Sequence, residues 1–329
     1  MTLETSSALN DAWEAGSEDV VYALAASPQF DRDGICFAGR ASGLYRSANG
    51  GASWQPAYAT LNLSDDLSTS AVVVSPSFAS DRAVFAGVTG AILRSHDAGA
   101  TWFLSLLPSP PPVVSCLVAS PDYERDGVLF AGTMEDGVFR SSDRGERWVR
   151  WNFGLLDLHV LALALSPDFA QDETLFAAVE SGIFRSTNGG RAWREVPFPE
   201  DLAPVISLAI SPDFKRDGLL LAGTEAHGLY ISRDRGRTWA ALGEGLLGEA
   251  VNAILLAPDF PQTPTILAVT SDGLSLSVDG GSTWSELAAD VPPDEAVVAV
   301  SAPRGLHPGA PLLLGLSNGG VIRTGAGRQ

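Results

Sequence analysis

The sequence predicts an all-β chain folded as a seven-bladed β-propeller with four-stranded antiparallel blades. Two periodic markers carry this reading. A boxed turn, Ser-x-Asp/Asn-x-Gly-x-x-Trp, recurs six times, at residues 47–54, 95–102, 141–148, 186–193, 232–239 and 277–284. A proline keeps the same beat at Pro28, Pro76, Pro121, Pro167, Pro212, Pro258 and Pro303, marking seven units about 46 residues apart. Within each unit, turn residues divide the chain into apolar runs of strand length, and units of this size built from short strands read as propeller blades.

The fourth unit shows how one blade is read. Residues 160–165 form a nearly continuous apolar run, as expected of an innermost strand covered on both sides, and Ser166-Pro167-Asp168 breaks it into a turn. Residues 174–179 form the second strand, 182–185 the third and 192–196 the outermost. The box joins the last two. Its Ser and Asn oxygens accept backbone N–H bonds, its glycines permit positive φ, and Trp193 packs over the hairpin. The box is therefore a folding device.

The seventh unit lacks a box, because residues 321–324 match the third strand and the sequence ends at Gln329. Asp11-Ala12-Trp13-Glu14-Ala15 resembles Arg191-Ala192-Trp193-Arg194-Glu195. The expectation is that residues 8–16 supply the outer strand of the blade formed by 296–324, which closes the ring and removes two free sheet edges. Residues 1–329 then form a single domain, and its length is no obstacle because each blade buries its faces only against its neighbours.

A hydrophobic content of 45% suits a packed interior, and 34 glycines with 21 prolines suit a chain rich in turns. A formal net charge of -18 repels phosphate backbones, so nucleic acid is not an expected partner. The apolar runs are too short to span a bilayer, and residues 1–19 lack the basic and apolar regions of a signal peptide. Cytoplasm, no membrane insertion and a monomer are the default expectations. Cys36 and Cys116 fall in different units without ligand spacing and read as small buried hydrophobes.

The boxes resemble the Asp-box, or BNR, repeat of sialidases, sortilin-type receptors, two-propeller xyloglucanases and photosystem II assembly-factor-like proteins. The resemblance covers essentially the whole chain and implies the propeller fold. It leaves function open, since the same box serves hydrolases, receptors and assembly factors. Asn49 and Asn188 replace the aspartate in two boxes, keeping the acceptor but not the charge. Sialidase likeness would imply an arginine triad, a Tyr–Glu pair and an early Phe/Tyr-Arg-Ile-Pro motif, and that motif is missing here. Arg46, Arg94, Arg140 and Arg185 all stand just before a box and read as a structural ladder. Xyloglucanase likeness would imply a second propeller across a cleft, and this sequence encodes one. Likeness to the assembly factors would imply basic surface residues, which an acidic chain does not obviously supply.

Loops joining the second and third strands, and loops joining successive blades, emerge on one face of a propeller, where function concentrates. Glu135, Asp136, Asp157, His159, Glu180, Glu225 and His227 fall on such loops and would converge on one sector of this upper face, with Glu244 and Glu249 beside them. Carboxylates with imidazoles suit a divalent cation, the one cofactor this set would take; Glu180 and Glu225 are the acid–base candidates. Solvated loop carboxylates are the competing reading. His96 and His307 fall on the opposite face. Ligand or partner candidates are Arg40, Asp272 and the apolar loop residues Phe103, Leu107, Trp151 and Phe153. The reading that follows is a non-catalytic binding or assembly scaffold for a protein or small ligand. The alternative is a carbohydrate-active hydrolase or lectin, with Trp151 stacking on a sugar.

Overall fold

The computed structural model describes residues 19–202, 204–243 and 250–325. Seven antiparallel sheets form a ring, and each runs outward from the central channel in chain order. Blade 4 is representative: Val160–Leu165, Leu175–Val179, Gly182–Ser186 and Arg194–Glu195 lie side by side. The outermost strand is shorter than the five residues expected from the sequence, because pairing stops where the chain turns away to the next blade. Blade 7 contributes Val297–Ser301, Pro311–Leu316 and Val321–Gly325, a three-stranded sheet among the described residues. Residues 8–16, expected to complete it, lie outside the described residues.

The second strands explain why the units pack into a ring. They are buried on both faces, and Phe37, Phe85, Phe130 and Phe176 are inaccessible to solvent. Each faces the blades beside it, so apolar burial, the main favourable contribution to folding, accumulates between neighbours and not within one blade.

A second repeated device was not legible from the proline beat alone. The turn after the inner strand becomes a single helical turn in five blades: Phe30–Asp33, Phe78–Asp81, Tyr123–Asp126, Phe169–Asp172 and Phe214–Asp217. In three of these blades its aromatic residue meets the second-strand phenylalanine of the preceding blade edge to face: Phe85–Tyr123 at 5.7 Å, Phe130–Phe169 at 5.6 Å and Phe176–Phe214 at 5.9 Å. A buried serine before the turn donates to the aspartate that ends it, Ser120 Oγ to Asp126 Oδ2 at 2.6 Å, and the other carboxylate oxygen accepts Val128 N–H at 2.9 Å. The same pair recurs from Ser27, Ser75, Ser166 and Ser211. Blade 6 has Ala257 and Thr263 at these two positions, and no helical turn forms there.

The boxes fold as expected. In blade 4, Ser186 Oγ donates to Asn188 Oδ1 at 2.9 Å and accepts Gly190 N–H at 2.9 Å, while Asn188 Oδ1 also accepts Ala192 N–H at 2.9 Å. Gly190 has φ 89°, and a Cβ there would stand 3.0 Å from the Phe130 ring of blade 3, so both backbone sign and close approach require glycine. Two of the pre-box arginines reach the next blade: Arg46 Nε donates to Ala98 O at 2.8 Å, and Arg94 pairs with Glu146 at 3.3 Å. These two tie blade to blade, whereas Arg140 lies over the Phe130 and Trp151 rings and Arg185 over the Phe176 ring, each with its Nε buried and unpartnered. At the channel, Ser70 and Ser115 hydroxyls donate to the carbonyls of Val114 and Val160 on the next inner strand, and Ser207 donates to Val251 O at 2.6 Å. Cys36 and Cys116 are free thiols, pushed up by burial to about 12 and about 11.

Candidate functional site

The upper face is built from tight turns between second and third strands and from the connections that descend into the next inner strand. On blade 4 these place three of the expected residues together. Asp157 precedes the inner strand, and its side chain is 16% exposed. Its Oδ1 accepts His159 N–H at 3.0 Å and lies 3.3 Å from His159 Nδ1; its Oδ2 accepts Ser181 N–H at 2.8 Å. His159 Nδ1 is 3.9 Å from Glu180 Oε2. Burial opposes the Asp157 charge, but the backbone donors of His159 and Ser181 outweigh it and hold the carboxyl below its ordinary range. Asp157 thus fastens the turn of its own blade. Asp19 does the same in blade 1, accepting Ser42 N–H at 2.9 Å.

The other members of the expected sector stand apart. Asp136 pairs with Arg150 of its own blade. Glu135, Glu225 and His227 are exposed, and the backbone of the 224–228 turn is held by Thr224, whose hydroxyl donates to Gly228 O and accepts His227 N–H, both at 2.9 Å. Among the described residues no ion pair or hydrogen bond joins Glu180 to Glu225 or His227, and no three His, Cys, Asp or Glu side chains are grouped to hold a metal ion. Glu244 and Glu249 lie outside the described residues.

The apolar candidates divide in two. Leu107 is buried in the core between blades 2 and 3, and Arg40, its side chain 14% exposed, lies over the Tyr45 ring at 4.3 Å and pairs with Asp19 at 3.5 Å. Trp151 is half-buried, with Arg140 at 4.3 Å and Arg191 at 5.4 Å from its ring centre and its carbonyl accepting Trp193 Nε1–H at 2.7 Å. It occupies the position three beyond the box tryptophan, where Val196 and Leu242 also face the box glycine of the next blade. That spacing was the overlooked signal for a packing role. Phe103, beneath Arg94, is 54% exposed on the outer strand of blade 2. Phe153 and Leu156 are 80% and 81% exposed on the connection leading to Asp157, and Leu156 was not among the candidates read from sequence.

Two concavities lie away from this sector. One, about 230 Å³, is lined by Asp272, Glu286 and Glu295 between blades 6 and 7. The other, about 620 Å³, lies between blades 7 and 1 on the opposite face, where Arg304 and Asp31 pair at 2.7 Å and exposed His307 contributes to the wall. His96 is exposed on that face too. Among the described residues, no helix is long and apolar enough to cross a membrane.

No protein-family model and no curated protein sequence matches the chain. Solved structures do. The GH74 xyloglucanase from Xanthomonas campestris is 19% identical with a TM-score of 0.72, covering 94% of this chain and 52% of its own. The Niastella koreensis GH74 enzyme is 16% identical with a TM-score of 0.72 and the same coverages, 94% and 52%. This protein therefore spans about half the length of those enzymes. YCF48 bound to D1 peptide is 16% identical with a TM-score of 0.68, covering 95% of both chains. Likeness at these identities establishes architecture alone: the protein is a seven-bladed β-propeller.

Proposed function

We propose that the protein is a non-catalytic binding or assembly scaffold whose upper-face loops take a protein ligand. The observation that carries this reading is the connection between blades 3 and 4. Phe153 and Leu156 stand 80% and 81% exposed there, beside the polar side chains of Asp157, His159 and Glu180. Apolar side chains rimmed by charge are the make-up of a protein interface. With a net charge of -18, the partner is a protein with basic or neutral contact residues, not a nucleic acid. The full-length likeness to a propeller bound to a peptide supports the reading by analogy.

The hydrolase or lectin alternative rests on the fold shared with GH74 enzymes. It assigns Trp151 a stacking role, yet Arg140 and Arg191 already stand against that ring. A native-extract pull-down comparing wild type with a Phe153→Ser, Leu156→Ser double variant tests the scaffold. A partner captured by the first and lost by the second, with unchanged circular dichroism, is expected. Turnover of plant polysaccharides that disappears in Glu180→Gln or Glu225→Gln would instead establish the enzyme.

A further inference from the structure

We propose that the seam between blades 4 and 5 binds a tetrahedral oxyanion, a phosphate or sulfate group, among the guanidiniums of Arg185, Arg194, Arg235 and Arg237. The seam lies at a box turn, on the rim opposite the upper face, so this site is independent of the function read from the upper-face loops.

The four arginines come from two blades. Arg185 lies on the third strand of blade 4, and Arg194 is its cross-strand partner. Cross-strand neighbours share a face, so two like charges stand side by side, which is destabilising unless an opposite charge joins them. In the other boxed blades the partner of the pre-box residue carries no charge: Gln55, Phe103, Val149, Ala240 and Ser285. Arg235 and Arg237 belong to the box of blade 5, which packs on blade 4: a Cβ on Gly236 would stand 3.5 Å from the Phe176 ring. The Arg185 guanidinium lies over Phe176 at 5.7 Å and that of Arg235 over Phe214 at 5.9 Å, and those two rings meet edge to face at 5.9 Å. Arg235 is fixed there by its 2.7 Å bond to Lys215 O.

The carboxylates that balance the two preceding seams have no counterpart at this one. Between blades 2 and 3, Arg94 pairs at 3.3 Å with Glu146, the residue after the box glycine. Arg237 occupies that position in blade 5. Between blades 3 and 4 the position holds Arg191, but Glu173 pairs with it at 3.0 Å. Glu173 directly follows the helical turn of its blade, and Gly218 takes that place in blade 5. The nearby cations Lys215 and Arg216 are paired with Asp168 and Asp213, whereas none of the four arginines forms an ion pair among the described residues. Asp172, the one carboxylate that acts on Arg185, already accepts Ser166 Oγ at 2.7 Å and Thr174 N–H at 2.8 Å.

Arg185 shows what is missing. Its Nε is shielded from water and has no partner; burial, and after it the charges of Arg235 and Arg237, push its pKa down. Arg94 and Arg140 share the orphaned Nε, but Glu146 stands against the first and the Trp151 ring against the second. A buried donor among like charges marks a place for an acceptor that the chain does not supply. Guanidinium forks match phosphate oxygens bidentately, and donors arriving from two strands of one blade and the turn of another surround an anion from several sides.

Calorimetric titration of the full-length protein with inorganic phosphate, and in parallel with sulfate, tests the site at an ionic strength held constant with chloride. Saturable binding is expected, with a melting temperature raised by about 4 °C when the anion stands about a hundredfold above its Kd. Tighter binding of phosphate than of O-phosphoserine assigns the site to the free ion, and the reverse assigns it to a phosphoryl group on a larger molecule. Arg237→Glu installs the carboxylate that blade 3 carries, so it should abolish the response and raise the melting temperature in chloride alone. Arg147→Glu, the same charge change at an exposed arginine of blade 3, should leave the response intact. Failure of phosphate, sulfate and phosphoserine to bind, acetate binding as tightly as phosphate, or a response that survives Arg237→Glu would overturn the proposal. Should Arg237→Glu not fold, Arg194→Gln on the exposed outer strand decides: unchanged phosphate affinity overturns the site.

Discussion

Replacing Trp193 with alanine separates folding from function at the boxes. The indole is 3% exposed and packs with Leu155, Phe130 and Phe184 in the core between blades 3 and 4. Removing a buried aromatic ring costs about 3–5 kcal/mol, because the surrounding blades relax only partly into the space. The Trp151 carbonyl also loses its 2.7 Å donor, worth about 1 kcal/mol. Trp193→Phe keeps most of the ring volume and loses the bond, so its cost should fall to about 1–2 kcal/mol. Urea unfolding followed by circular dichroism reads both, with the midpoint moving and the slope unchanged. A loss below about 1 kcal/mol for the alanine variant, or equal losses for both variants, would refute the packing argument. So would a variant of normal stability that no longer binds a partner captured by wild type.

Asp126→Ala should cost more than Ser120→Ala in the same assay, because the carboxylate serves both Ser120 Oγ and Val128 N–H; about 1–3 kcal/mol is expected for the larger effect. Thr238 and Thr283 hydroxyls and backbone donors hold Asp234 and Asp279 at about 2, below the 3.8 of a free aspartate. The stability they contribute is therefore complete above about pH 4 and lost as pH falls through about 2, so the melting temperature of Asp234→Asn should depend less on pH across that interval. Leu107→Ala should behave as a core deletion, losing about 2–5 kcal/mol without loss of partner capture by the folded fraction.

The architecture was legible because one device repeats in register. The Ser, Asp or Asn, Gly and Trp of each box are all consumed by local bonds and close approaches, and the sequence prints those requirements at a fixed spacing. The Ser–Asp pair six residues apart escaped notice because its two members flank a turn whose proline is the more obvious marker. The upper face was harder for a physical reason: which side of a loop meets solvent depends on its neighbours and not on its own composition. Asp157, His159 and Glu180 do meet, whereas Leu107, from an apolar loop, is drawn into the core by blade 3. Trp151 looked free because it lies outside the boxed pattern, yet counting three residues from Trp148 places it where Val196 and Leu242 also pack.

The serine hydroxyls that hook one inner strand to the next have a thermodynamic consequence for any ligand of the upper face. Ser70, Ser115 and Ser207 each hold the first carbonyl of the following inner strand, so blades 2 and 3, 3 and 4, and 5 and 6 cannot slide past one another at the channel without stranding a hydroxyl and a carbonyl. A ligand arriving on such a platform orders little that is not already ordered. Its binding should show a negative heat-capacity change that tracks the apolar area it covers, without the additional change that accompanies folding on contact, and calorimetry across a range of temperatures would read the difference.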